Sequence, residues 1–346
     1  MKANKLLLAL VTFLFSLEGN SQNNVQSATL TSGGLEAGVT TMGLGLNTFY
    51  GYQAGKVNTG IDNLFIGNQS GKANTNGNSN TYLGSKSGLI FTSGYQNTFI
   101  GERSGNAITS GYENTFVGAG SGGGSNSITN SGFGAWAGSI STGEFNTFLG
   151  PYSGYSSHGN NNLFVGGGVG DHCTGNGNIF LGFTTGSNQT VSNRLLIDNE
   201  DNASPLIWGD FALNQVKLNG KVGIGNVATF PTIGGNVNVA NYNLFVSGGI
   251  LTEEVRVALQ TGWADYVFEK DYNLKPLSEV EKYITENGHL PNVPSAKQVK
   301  NEGIELGDMA RIQQEKIEEL TLYLIQQNKE IEELKAQMKA LLAKQN

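Results

Sequence analysis

Apolar residues recur along the first half of the chain in a five-residue phrase, Asn-x-Φ-Φ-Gly, where Φ is a large apolar residue. Full copies begin at Asn47, Asn63, Asn80, Asn97, Asn114, Asn146, Asn162 and Asn178, and a degraded copy begins at Asn130. The glycines that end these copies lie 16 or 17 residues apart and are Gly51, Gly67, Gly84, Gly101, Gly118, Gly134, Gly150, Gly166 and Gly182. A second glycine follows each of them four residues later.

A period of 16–17 residues is too short for repeats built from two helices. It is typical of one coil of a parallel β-solenoid, in which glycine and asparagine form the tight corners. Gly34 and Gly38 add one more pair upstream, which predicts about ten coils within residues 22–190. At a strand spacing of about 4.8 Å, this head would be about 50 Å long.

The two adjacent apolar positions of each phrase point to opposite faces of a strand. One row can fill the interior of the coil, so the second row must be covered by something else. Packing against copies of the same chain is the favoured explanation. A broad monomeric solenoid whose second row lies under loops is the alternative.

Beyond the head the repeat stops. Short apolar runs between turn residues predict a β-rich shaft or connector over residues 191–262. Residues 263–307 predict a small helical module, with capping boxes at Ser278/Glu281 and Ser295/Gln298 that open two short helices. Gly288 and Gly303 are predicted to end those helices.

Residues 308–346 carry a heptad pattern and predict a long helix in a coiled coil. The a and d positions proposed for oligomerisation are Ile317, Leu320, Leu324, Gln327, Ile331, Leu334, Met338 and Leu341. Gln327, a polar residue at a d position, lowers the stability of a dry coiled-coil seam and is expected to fix the register and the number of helices. The alternative is a single amphipathic helix that folds back on the 263–303 module.

Composition separates these parts further. Residues 22–190 hold 37 of the 50 glycines but only four Lys or Arg, whereas residues 251–346 hold four glycines and 12 Lys or Arg. The net charge of −7 does not favour nucleic acid as a partner.

Lys2, Lys5 and an apolar run to Phe15 predict a signal peptide over residues 1–21 and therefore export. No membrane span is expected in the mature chain.

Few residues of the chain are candidates for metal binding or catalysis. Asp171-His172-Cys173 is the one local set of metal-like ligands, and a structural corner is the favoured interpretation. The head's six carboxylates include Glu113, Glu144 and Asp171 and show no paired spacing of the kind that glycoside hydrolysis needs. We therefore expect no enzyme activity, cofactor or metal.

Two resemblances add to this interpretation. The phrase Asn-x-Φ-Φ-Gly followed by x-x-Ala/Ser-Gly, over residues 34–186, resembles the head repeats of trimeric autotransporter adhesins, which implies a trimeric β-roll. The strings from Trp263 to Tyr272, Gly288 to Pro291 and Lys316 to Tyr323 resemble the C-terminal module of secreted Gram-negative tail-fibre-domain proteins. That module is related to tail-spike intramolecular chaperones, whose self-cleaving Ser/Lys phrase is absent here, so the resemblance implies trimerisation without autocleavage.

The combined hypothesis is a mainly β, non-enzymatic, homotrimeric fibre on the surface of a Gram-negative bacterium or outside it, in association with the outer membrane. Its role would be adhesion or surface display, and its partners would be copies of itself and a glycan or other cell-surface ligand. Two alternatives stay open. One is a polysaccharide-processing fibre with a site between subunits, and the other is a purely structural spacer.

Overall fold

The computed structural model describes residues 25–26, 30–40, 45–122, 124, 127–258 and 262–345. The predicted signal peptide lies outside the described residues. The chain divides into two compact units, Met1–Gly220 and Lys221–Asn346. The first is a parallel β-solenoid of about ten turns, as the glycine spacing predicted.

Strands of the first unit are short, and each coil adds one of them to a long sheet. They are β1 (Val25–Gln26), β2 (Leu30–Gly33), β3 (Asn47–Tyr50), β4 (Leu64–Ile66), β5 (Thr81–Leu83), β6 (Ser93–Tyr95), β7 (Thr98–Ile100), β8 (Ser110–Tyr112), β9 (Thr115–Val117), β10 (Ser127–Ile128), β11 (Ser131–Phe133), β12 (Thr147–Leu149), β13 (Leu163–Val165), β14 (Ile179–Gly182), β15 (Arg194–Asp198), β16 (Ile207–Asp210) and β17 (Gln215–Leu218). The long sheet runs β1-β2-β3-β4-β5-β7-β9-β11-β12-β13-β14-β15-β16-β17, and a second sheet pairs β10, β8 and β6.

Aromatic rings fill the interior of the coils. The central residue of each repeat strand points inward, so that Phe49, Phe65, Tyr82, Phe99 and their successors pair in register and are fully buried. The rings of Tyr82 and Phe99 stack with centroids 4.8 Å apart and an interplanar angle of 8°. The inward row therefore forms the core, as predicted for one of the two apolar rows.

The nine corner glycines share one backbone conformation, with φ between +128° and +142°. A Cβ on any of them would lie 1.5–2.5 Å from the backbone oxygen of the equivalent residue in the next coil. Only glycine combines this φ with such a close approach. The 16–17-residue spacing of glycine therefore marks positions where consecutive coils touch backbone to backbone.

Asparagine side chains form a buried ladder beside these corners. The Oδ1 of Asn63 accepts the backbone N–H of Asn80 at 3.0 Å, and the Oδ1 of Asn80 accepts that of Asn97 at 3.0 Å. The same bond repeats along the stack and ends on the backbone N–H of Arg194. The ladder satisfies backbone donors that the turn would otherwise leave buried and unpaired.

Strands β16 and β17 turn antiparallel and continue the sheet after the last parallel strand, β15. Trp208 on β16 packs on the end of the aromatic core and lies under Arg194 and Lys217. Arg194 also contacts Asp210 at 2.8 Å, so this end of the stack is covered by paired strands and a charged pair.

The second unit contains the short strands β18 (Val222–Ile224), β19 (Ile233–Gly234), β20 (Val237–Asn238) and β21 (Leu244–Val246), followed by a 3-10 helix over Ala264–Phe268. Three α-helices follow: α1 (Leu277–Asn287), α2 (Ala296–Glu302) and α3 (Leu306–Gln345). The capping box at Ser295 and Gln298 is confirmed, as are the glycines that end α1 and α2.

The capping box predicted at Ser278 is wrong. Helix α1 begins at Leu277, and its N-cap is Pro276, which makes no side-chain capping bond. Proline fixes its own φ near −60° and favours the start of a helix. Its carbonyl accepts the N–H groups of Glu279 and Val280, so Ser278 falls inside the first turn.

Candidate functional site

Helix α3 carries a long exposed apolar stripe. The a and d side chains Ile317, Leu320, Leu324, Ile331, Leu334, Met338 and Leu341 are each 48–64% exposed in the single chain. Gln327, within the same stripe, is also exposed. From Leu324 to Lys344 every described side chain of the helix is exposed. The structure thus places all eight predicted oligomerisation residues on one uncovered side of one helix.

The first turns of α3 pack on their own module through a different side. Ile312 and Glu315 are buried there, and Tyr323 donates its hydroxyl to the carbonyl oxygen of Lys275 at 2.6 Å. In the heptad numbering these residues occupy c, f and g, away from a and d. The fold-back that was the alternative to a coiled coil therefore exists, but it leaves the a/d stripe uncovered.

A polar cluster joins this module to α3. Glu315 accepts hydrogen bonds from the hydroxyl of Tyr266 and from Lys316 Nζ at 2.8 Å, and Lys316 also contacts Glu319 at 2.8 Å. Burial pushes the pKa of Glu315 upward, but the bonds from Lys316, Tyr266 and Asn292 outweigh it, and the pKa lies below its ordinary value. The negative charge of Glu315 therefore helps to hold the module on the helix.

A cleft of about 330 Å³ lies beside this cluster, between α1 and α3. Its lining includes Tyr272, Leu277, Leu290 and Leu320. Leu320 is a d residue of the stripe, so a helix docked on the stripe would also reach the edge of the cleft.

The outer face of the long sheet carries the second apolar row. Tyr50, Leu83, Phe133 and Leu149 are more than 40% exposed, and the equivalent residues of other coils are partly exposed. The row is thus not covered by loops of the described chain.

The side chains of Asp171-His172-Cys173 do not converge on one point. Cys173 is buried among core side chains, and burial raises the pKa of its thiol to about 12. His172 is exposed, and its Nδ1 lies 2.7 Å from Asp171 Oδ1. The thiol and the imidazole therefore lie on opposite sides of the coil wall.

Other candidates are scattered. His158 contacts the carbonyl oxygen of Ser156, and His289 contacts that of Leu290. Within the described residues, no three His, Cys, Asp or Glu side chains are grouped closely enough to hold a metal ion.

Among the helices of the described part, none has the length and apolar character needed to cross a membrane.

Sequence reasoning missed a column of side chains two residues after each corner glycine. Lys86, Arg103, Gly120, Trp136 and Tyr152 are successive members, one per coil. All have positive φ, between +56° and +64°, in the left-handed region. The spacing of the corner glycines puts these residues in register, but only the fold shows that the four large side chains lie on the outside of the coils.

Comparisons with protein-family models, with curated proteins and with solved structures find no match for this chain.

Proposed function

We propose that the protein is an exported, fibre-like homotrimer that presents its β-solenoid head for adhesion or surface display. The observation that carries the proposal is the uncovered a/d stripe of α3. A soluble helix that exposes seven large apolar side chains on one line is stabilised when equivalent helices cover that line. Because the first turns of the helix already pack on their own module through another side, copies of the chain are the natural partners for the stripe.

The length of the helix supports the same conclusion. The 21 residues from Leu324 to Lys344, none of whose side chains is buried, would extend about 32 Å at 1.5 Å per residue. Most of the stability of a helix in a protein comes from packing of its apolar face, and this segment has no such packing within the single chain. Gln327 at d would place a polar layer within the seam, which in coiled coils selects the register and the number of helices.

The head offers a second interface of the same kind. Its outer sheet face is apolar over many coils and continuous in register. Three heads joined through this face would remove the exposed row from water while leaving the turn surfaces of each coil accessible. The resemblance to trimeric autotransporter heads and to tail-fibre modules supports a count of three and a surface location.

Sedimentation equilibrium of the full chain tests the assembly. Wild type is expected to sediment at three times the chain mass at micromolar concentration, and the pair Leu324→Asn/Leu334→Asn is expected to shift it towards a monomer. The matched control is Ile325→Asn/Leu342→Asn, because these two side chains are also exposed but lie outside the stripe. A monomeric wild type, or equal effects of the two pairs, contradicts the proposal.

Adhesion is tested separately with the assembled protein. Wild type is expected to bind cells or polysaccharide-coated surfaces more strongly than the monomeric pair, because three heads bind together. A stable trimer that binds no surface offered to it would be a spacer, and the adhesive role would then be wrong.

A further inference from the structure

The irregular coil of the head creates a groove on its flank. The coil that follows Gly118 has glycine at position 120, where its neighbours carry long side chains, and it has Gly132 where other coils place a core aromatic residue. The groove has a volume of about 350 Å³, and its lining includes Lys86, Arg103, Gly120 and Trp136. Departures from a repeat that is otherwise kept are places where function is expected.

Trp136 forms one wall of this groove. Its indole lies against Gly120, since a Cβ on that glycine would be 2.8 Å from the ring. On its other side it stacks with Tyr152, with ring centroids 6.4 Å apart and an interplanar angle of 13°. Trp136 is 40% exposed and Tyr152 is 50% exposed. Large aromatic residues at positive φ are strained, and glycine or asparagine would relieve that strain.

Cations form the opposite wall. Lys86 and Arg103 are two of only four Lys or Arg residues in residues 22–190, and all four lie on the turn that follows a corner glycine. Lys86 has no ion-pair partner among the described residues. Arg103 Nε lies 3.8 Å from Glu102 Oε1, but both side chains are more than half exposed, so this pair is weak. Lys56, by contrast, is paired with Glu36 at 2.7 Å.

The spacing of the two walls fits one kind of ligand. Arg103 and Trp136 lie two coils apart, about 10 Å between backbones. Gly120 of the intervening coil has no side chain and is buried against the indole, and Arg103 and the exposed part of Trp136 line the same groove. A pyranose ring has an apolar C–H face that stacks on an indole, while a carboxylate or sulfate on the same chain pairs with Arg and Lys. A neutral glycan would leave the cations unused, and a simple anion would leave the indole unused.

We propose that this groove, defined by Lys86, Arg103, Gly120 and Trp136, binds an acidic polysaccharide, with uronic acid or sulfated sugar units along the solenoid axis. The proposal names the ligand class of the adhesive head and in that respect rests on the proposed function. The backbone supports the geometry, because each member of the column donates its N–H to the preceding coil at 2.8–2.9 Å. The coil stack therefore holds the cationic and aromatic walls at a fixed separation.

The test is calorimetric titration of the full-length protein with four probes: oligogalacturonate, heparin oligosaccharides, cello-oligosaccharides of matched length and single-stranded DNA of matched charge. Wild type is expected to bind at least one acidic oligosaccharide, to bind the neutral one at least about tenfold more weakly, and to lose affinity as salt rises. Preference for DNA over both acidic glycans, or equal affinity for the neutral glycan, overturns the proposal.

Substitutions in the two walls of the groove test which side chains contribute to binding of the oligosaccharide. Trp136→Asn suits the positive φ and is expected to lower affinity about tenfold, whereas Trp136→Phe keeps an aromatic face and retains part of the binding. Gly120→Asn places a Cβ 2.8 Å from the indole, which must then move, and this variant is expected to lower affinity as strongly. Lys86→Gln/Arg103→Gln is expected to abolish the salt dependence.

There are two control variants. Tyr95→Asn removes an exposed stacked aromatic residue elsewhere on the head, and Lys297→Gln/Lys300→Gln removes two positive charges outside the head.

Sedimentation of the same samples distinguishes the two proposals. A trimer that binds no acidic glycan overturns the groove and leaves the assembly standing. A monomer that binds acidic glycan through Trp136 supports the groove and contradicts the assembly. Circular dichroism confirms that each variant keeps its β signal, and equal binding by wild type and a folded Trp136→Asn overturns the groove.

Discussion

The α-carbon of Gly105 faces the ring of Phe99 so closely that a Cβ added to Gly105 would lie 2.4 Å from the ring. Phe99 is the core residue of the same coil, and Gly105 has φ of +65°. Equivalent contacts occur between Gly55 and Phe49 and between Gly71 and Phe65. The second glycine of a repeat is therefore required by the aromatic residue that precedes it by six positions. Gly138 is an exception, because Gly132 stands at that position and the added Cβ would instead meet Phe148 of the next coil.

Gly105→Ala is expected to destabilise the solenoid by about 3 kcal/mol, because it combines left-handed strain with overpacking against a buried ring. The measurement is the midpoint of urea unfolding followed by the β signal in circular dichroism. Gly249→Ala is the matched control, since nothing lies within 4 Å of the added Cβ. Equal midpoints for the two variants would contradict the steric account.

The asparagine ladder predicts a second stability effect. Asn80→Ala removes the acceptor of the Asn97 backbone N–H and the donor to the carbonyl oxygen of Gly94. Because both lost partners are buried or partly buried, the change is expected to cost about 2–3 kcal/mol. Asn76→Ala, at an exposed position of the same coil, is the control and should have almost no effect. An unchanged midpoint for Asn80→Ala would show that water replaces the ladder.

The repeat pattern predicted most of the head because each repeated residue has one structural role that its residue type explains. Glycine at the corner is explained by close approach and positive φ, and the alternation within each strand decides that Phe99 points inward and Ile100 outward. The second sheet, β6-β8-β10, was not predicted. Its strands have Ser-Gly-Tyr in two coils and Ser-Ile in the third, which is too short and too variable to form a recognisable strand pattern.

The groove around Trp136 could not be predicted for a different reason. The site exists only because a column brings together residues of successive coils that are 16 to 50 positions apart in sequence. The same holds for the polar cluster, in which Tyr266 and Glu315 meet across 49 residues. The antiparallel strands β16 and β17 also follow no repeat, so nothing in the 16-residue spacing indicated them.

Cys173 is expected to be unreactive in the native protein. Burial raises the pKa of its thiol to about 12, so the reactive thiolate is scarce at pH 8. Labelling with a disulfide reagent at pH 8 should be at least about a hundredfold slower than in urea. The comparison is the same protein after unfolding, which supplies its own control. Rapid native labelling would mean that the corner at Asp171 opens and that the triplet can converge.

Acid is expected to loosen the helical module. The pKa of Glu315 is lowered in the folded state, so its contribution is present above the pKa of the unfolded chain, near 4.3, and is lost as pH falls through the folded value. Thermal melts followed by the helical signal should therefore show a midpoint that drops below about pH 4.

The control for this pH dependence is the variant pair Glu315→Gln and Glu333→Gln. The first is expected to melt at a lower temperature at neutral pH and to show a flatter pH profile, because the pair with Lys316 is gone. The second removes an exposed carboxylate of the same helix and should melt as wild type does. A wild-type profile that is flat between pH 6 and pH 3 contradicts the role of Glu315.

Removal of one whole coil tests the solenoid itself. Deletion of residues 163–178 joins Asn162 to Ile179, which keeps the 16-residue spacing from Gly150 to Gly182 and places Phe180 after Phe148 in the core. The shortened protein is expected to fold with slightly lower stability, since each coil contacts only its neighbours. Deletion of residues 163–170 removes half as many residues but brings His172 into the position of the buried phenylalanine, and it should lose the β signal. If the larger deletion unfolds the head and the smaller one does not, the stacking register described here is wrong.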